Sequence, residues 1–151
     1  MYLSVTDFKQ LIRKAPLVAI DLIIENDKGD FLMGWRANKP AQHHWFVPGG
    51  RIQKGEHLAD AFRRIAQAEL GLEIEMKNCG FLGVYEHLYN ENVFDDPSFG
   101  THYVVLGYHV KANPNMQQLP FRQHSQYKWF SRTELLGHPQ VHENTKGYFR
   151  G

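Results

Sequence analysis

At 151 residues, with 42% hydrophobic and 13% aromatic content, the chain can bury one sizeable core and is read as a single domain over 1–151. Its 17 Lys+Arg against 16 Asp+Glu leave a formal charge of +1, and the basic residues are scattered, which argues against a phosphate-backbone surface and a nucleic-acid partner. Cys79 is the only cysteine, which excludes a disulfide framework, a zinc knuckle and a paired redox site, and no run approaches the ~20 apolar residues of a membrane span.

The N-terminal stretch mixes acids and bases without an apolar secretory segment, so a cytoplasmic protein is expected. Thr6, followed by Asp7, Phe8, Leu11 and Ile12, predicts a short amphipathic helix capped at its start and ended by Pro16. Apolar, β-branched-rich runs at 17–24 and 30–35 flank the turn residues of 25–29 and predict a hairpin. Residues 44–47 continue as a strand into Pro48-Gly49-Gly50. A helix follows over 57–70, closed by Gly71 in a left-handed position. Further strands are expected at 80–87, 102–110 and 127–130, then one or two short helices between 132 and 149, with the aromatic stretch 81–89 expected in the core. Hairpins outnumber helical crossovers, so the predicted class is α+β with a mixed β-sheet.

The helix over 57–70 carries the first chemical clue. At about 100° per residue, Leu58, Ala61, Phe62, Ile65 and Leu72 share one face, and Glu69 lands in the middle of that apolar stripe. The opposite face, with Asp60, Arg63, Arg64 and Gln67, has the composition of a solvated surface. A buried carboxylate costs several kcal/mol unless it is paired or binds a cation. Glu69 is therefore a metal ligand or one half of a structural ion pair, and position alone does not separate the two.

The sequence around it resembles the Nudix box. That family pattern is a glycine, five residues, a glutamate, seven residues, then Arg-Glu-aliphatic-x-Glu-Glu-x-Gly-aliphatic. The chain keeps Gly50, Glu56, Arg64, Glu69, Gly71 and Leu72, but has Ile65 and Ala68 where the family has two of its glutamates. Asp21 in the first strand, Gly34-x-Arg36, Trp45 to Arg51, Thr101-His102-Tyr103 and Gln123-His124 are together similar to the GDP-mannose mannosyl hydrolase subgroup. The resemblance extends over nearly the whole chain. It implies a Nudix-type α/β/α sandwich and hydrolysis of GDP-mannose, GDP-glucose or both, to GDP and free sugar, with inversion at the anomeric carbon.

Enzymes that attack phosphorus commonly gather two or more divalent ions with several carboxylates, so two missing acids imply fewer metals. The resemblance implies one Mg²⁺, with Mn²⁺ as a substitute, held by Glu69, the backbone carbonyl of Gly49 and the side-chain carbonyl of Gln123. Arg36 and Arg51 would fork onto the diphosphate and Tyr103 would add a hydrogen bond. His124 is carried over as the general base for water. Asp21 and His87 would face the sugar. A homodimer is also implied, to which the apolar Tyr2, Leu3 and Phe8 could contribute. Each role has a plainer counterpart: Asp21 as a buried cap, His87 as a hydrogen-bonded structural residue, Arg64 as a brace for Glu56. Two other functions remain open, namely ordinary Nudix attack on phosphorus in another nucleoside diphosphate derivative, and an inactive nucleotide-binding domain.

Overall fold

A nearly unbroken apolar run between Pro16 and the Asn26–Gly29 turn forms the strand around which the other elements are arranged. The computed structural model describes residues 2–120 and 124–150, with backbone only at 124 and 125. In chain order the elements are α1 (Val5–Lys14), β1 (Leu17–Glu25), β2 (Phe31–Arg36), β3 (Trp45–Phe46), β4 (Gly49–Arg51), α2 (Leu58–Leu70), β5 (Gly80–Tyr89), β6 (Thr101–Lys111), β7 (His124–Phe130), α3 (Arg132–Gly137) and α4 (Glu143–Lys146). Short 3₁₀ turns at Met76–Asn78 and Met116–Gln118, which the sequence pattern did not suggest, join α2 to β5 and β6 to β7.

β1 is central. It runs parallel to β6 from Leu17 opposite Tyr103 to Glu25 opposite Lys111. On its other edge the predicted hairpin exists only at its turn, where Glu25 faces Phe31; farther along, β4 pairs with Ala19 to Asp21, and the Leu22 amide donates to the Pro48 carbonyl at 2.8 Å. Having left β1, β2 satisfies its backbone with β3 on one side and β7 on the other. The sheet order is β3-β2-β1-β6-β5, mixed in direction.

Helices cover both faces, in agreement with the expected α+β sandwich. Ala61, Phe62, Ile65, Ala66 and Leu70 of α2 pack on Ile20, Leu22, Ile24, Leu32 and Val110. The other face buries Ile23, Met33, Phe46 and Phe130 beneath Leu135, Val141 and Phe149 of the C-terminal segment.

Three local expectations are corrected. The cap of α1 is Ser4, whose hydroxyl accepts from the Asp7 amide at 3.1 Å, so Thr6 lies inside the first turn. Leu58 starts α2 and is exposed, although it shares the heptad position of buried side chains. β5 is an edge strand with Phe81, Val84 and Leu88 in solvent; only His87 of the stretch 81–89 is fully buried. Gly71 closes α2 in the left-handed region at φ 68°, as its sequence context predicts.

Candidate functional site

Strand alternation puts Ala19 and Asp21 of β1, Tyr103 and Val105 of β6, and His87 and Tyr89 of β5 on one side of the sheet. With Arg36, Gly49 and Arg51, and with Phe8 and Ile12 of α1, they line a cavity of about 290 Å³. The Arg51 guanidinium lies over the Phe8 ring, 5.1 Å from its centre. Six of the nine predicted site residues, Asp21, Arg36, Gly49, Arg51, His87 and Tyr103, therefore share one cavity.

Backbone devices aim several of them. The β2–β7 register shifts between Trp35 and Arg36, a bulge that redirects Arg36 at the end of its strand. The Arg36 Nε donates to the Pro40 carbonyl at 2.8 Å. Gly49 sits opposite Asp21 in the β1–β4 pair, where a Cβ would lie against Asp21 Oδ1 and 2.6 Å from the Ile20 carbonyl oxygen. Only glycine allows this approach.

The interior of the site has unusual electrostatics. Asp21 is 6% exposed, and burial pushes its carboxyl up to about 7; the Tyr148 hydroxyl, which donates to Oδ2 at 2.5 Å, and the charge of Arg36 oppose that rise. Burial, and after it the nearby His142, holds His87 down at about 4, so the imidazole is neutral at pH 7. Burial also raises the phenols of Tyr103, Tyr89 and Tyr148.

Glu69 is 6% exposed on the inner face of α2, as its place in the apolar stripe predicts, but it is not in the wall of this cavity. It lies close enough to Tyr127 to help raise that phenol, which burial chiefly pushes up to about 12. α2 presses on β4 one helical turn earlier: a Cβ on Gly50 would come within 3.1 Å of Ile65 Cγ1. Ile65, where the family pattern has a glutamate, is thus a packing residue. Gln123 lies outside the described residues. The His124 backbone pairs with Arg36 at the start of β7, and its side chain lies outside the description.

Arg64 takes the bracing place. Its Nε and Nη2 donate to the Glu56 carboxylate at 2.7 and 2.9 Å, and Nη2 also reaches the Arg51 carbonyl at 2.8 Å. Hydrogen bonding to Arg64 holds Glu56 below its ordinary pKa, and Glu56 also accepts from the Gln53 amide. This pair ties the loop after β4 to the Arg51 carbonyl at the strand's end.

Tyr148 and His142 are the residues that sequence reasoning missed. Both fall in a C-terminal segment with no motif of its own. Asp21 interrupting an apolar strand signalled that some partner was required, without indicating which.

The NUDIX domain profile matches residues 15–150, almost the whole chain. The chain belongs to the Nudix family. It is a Nudix hydrolase, and Nudix hydrolases generally use a divalent metal such as Mg²⁺. Among its relatives is the low-salt glycan biosynthesis protein Agl8 of Haloferax volcanii, 34% identical over 135 residues that cover 89% of this chain and 83% of that protein. A MutT Nudix hydrolase from Burkholderia pseudomallei has a similar structure, with TM-score 0.70, 25% identity and coverage of 90% and 97% of the two chains. The Nudix domain of Shewanella oneidensis NrtR, solved with ADP ribose, shares the fold at TM-score 0.65 and 16% identity, over 97% of this chain and 95% of that one.

Proposed function

We propose that this Nudix hydrolase cleaves a GDP-sugar, GDP-mannose or GDP-glucose, by attack of water on the anomeric carbon. The observation that supports it most is the division of the cavity: Arg36 and Arg51 supply cationic donors for a diphosphate, while buried Asp21 and neutral His87 suit an uncharged sugar. Ile65 in the core, in place of a carboxylate, also favours chemistry with fewer metal ligands. The name of the Haloferax relative, a glycan biosynthesis protein, agrees with a sugar-linked substrate.

Water attacks the anomeric carbon, the carbon–oxygen bond to the diphosphate breaks with both electrons leaving on GDP, and His124 takes the proton from water. Arg36, Arg51 and Tyr103 stabilise the charge growing on the leaving group. Asp21 and His87 hold sugar hydroxyls, and ionised Asp21 stabilises positive charge developing on the ring. Attack opposite GDP gives inversion.

A donor set of one carboxylate and two carbonyl oxygens suits one hard divalent ion, since Mg²⁺ typically binds one or two carboxylates plus substrate phosphates. Glu69, the Gly49 carbonyl and Gln123 would hold Mg²⁺, which supplies charge neutralisation of the departing diphosphate. The same proposal takes residues 1–151 as one catalytic domain working as a cytoplasmic homodimer; no helix among the described residues is long and apolar enough to cross a membrane.

Turnover of GDP-mannose and GDP-glucose with Mg²⁺ in ¹⁸O-labelled water tests the reaction. Label in the sugar is expected. Label in a phosphate would mean the ordinary Nudix attack on phosphorus, and no turnover across a nucleotide-sugar panel would mean a binding domain.

A further inference from the structure

The geometry points to Tyr148 as a positioning residue, one that fixes the tautomer of His87 and the orientation of the Asp21 carboxylate through a single hydroxyl. This rests on the proposed use of Asp21 and His87 at the sugar.

Tyr148 is half-buried and held by several contacts. Its amide donates to the Thr145 carbonyl at 3.1 Å, the next residue, Phe149, is in the core, and the Arg132 side chain donates to the Phe149 carbonyl. Its ring meets the Tyr85 ring edge-on at 4.6 Å and the His87 ring at 5.8 Å between centres. The slot exists because position 107 is glycine: a Cβ there would lie 3.1 Å from both Tyr148 Cε1 and Tyr85 Cε2. The hydroxyl therefore has little freedom to move.

A phenol has one proton. With Asp21 ionised, Tyr148 gives that proton to Oδ2 at 2.5 Å. Toward His87 Nε2, at a long 3.4 Å, the phenol oxygen can then only accept. The proton between them belongs to Nε2, so the neutral imidazole carries Nε2–H and keeps a lone pair on Nδ1. His87 lines the cavity, and Nδ1 is then its one ring acceptor, the atom this inference assigns to a sugar hydroxyl. The chain Nε2–H to Oη–H to Oδ2 also leaves Oδ1 as the Asp21 oxygen not engaged by Tyr148.

Tyr148→Phe removes the hydroxyl and keeps the ring. In Mg²⁺-loaded protein at pH 8.5, ¹⁵N NMR of the His87 ring, assigned by difference from His87→Gln, is expected to show Nε2–H with unprotonated Nδ1 in the parent and a mixture of tautomers in Tyr148→Phe. kcat for the GDP-sugar should fall by roughly 10-fold while GDP inhibition changes by less than about 2-fold, since the nucleotide end is untouched. Gly107→Ala, which displaces the ring without deleting the hydroxyl, should shift the tautomer signal in the same direction and serves if Tyr148→Phe fails to fold. Unchanged ring nitrogens in a folded variant, or kcat unchanged, would overturn the assignment. If the parent turns over no GDP-sugar, the proposed function has failed, and the ring nitrogens still decide the role of Tyr148.

Discussion

Asp21→Asn makes the strongest demand on the structure. Burial raises Asp21 from 3.8 to about 7, so the folded protein holds a proton that the unfolded chain has released. A raised folded-state pKa means the carboxyl costs no stability below pH 3.8, progressively more between 3.8 and 7, and a constant amount above 7. At about 1.4 kcal/mol per unit the full cost is about 4 kcal/mol. His87 acts in the opposite sense. Lowered from 6.5 to about 4, it contributes stability that is complete above pH 6.5 and lost as pH falls toward 4, a total of about 3 kcal/mol. Between pH 4 and 6.5 the two nearly cancel, so the parent protein conceals both. Urea unfolding of the chelated parent and Asp21→Asn, across pH 4 to 8, separates them. The difference in unfolding free energy should grow in favour of Asn by about 1.4 kcal/mol per pH unit and level off above pH 7, at up to about 4 kcal/mol. The slope matters more than the offset, because every other carboxylate cancels in the difference. A pH-independent difference, or an Asn variant less stable than the parent at pH 8, would refute the claim that Asp21 is buried at a cost. The same substitution should lower turnover of the GDP-sugar, the usual exchange of stability for a functional site.

His124→Ala should reduce kcat by roughly 10²–10⁴-fold and leave Mg²⁺-dependent GDP binding intact; lost binding with unchanged turnover at saturation would show that the base is elsewhere. Glu69→Gln keeps the buried volume but removes the charge, so calorimetry should record weakened Mg²⁺ binding and assays a kcat lower by about 10²-fold. Undiminished Mg²⁺ affinity would make Glu69 purely structural. Gly49→Ala places a methyl 2.6 Å from the Ile20 carbonyl oxygen, and thermal unfolding should report a loss of about 3 kcal/mol. An unaltered melting temperature would mean that β4 does not sit as closely on β1 as described.

The elements most legible in the sequence were those set by local pattern. α2 announces itself by period and by Gly71, and the first strand by its apolar run, because both are decided within a few residues. The splitting of the β1–β2 hairpin was not readable, since it depends on β4 competing for the same edge of β1 from more than twenty residues away. Leu58 and the face of β5 failed for a related reason: an apolar residue registers as core in a one-dimensional pattern, whereas exposure depends on whether another layer reaches it.

At the site, charge out of place was the readable signal. Asp21 in an apolar strand and Glu69 in an apolar stripe are both found buried, and the motif positions Arg36, Gly49, Arg51 and Tyr103 meet around one cavity, together with His87. Tyr148 gave no such signal, because a tyrosine near a chain end is compatible with almost any environment. What marks it is three-dimensional: a buried acid needing a donor, a glycine on the facing strand making room for a ring, and a neutral histidine on the other side. A buried carboxylate in a sequence therefore poses a question whose answer lies wherever the fold brings a donor, here 127 positions along the chain.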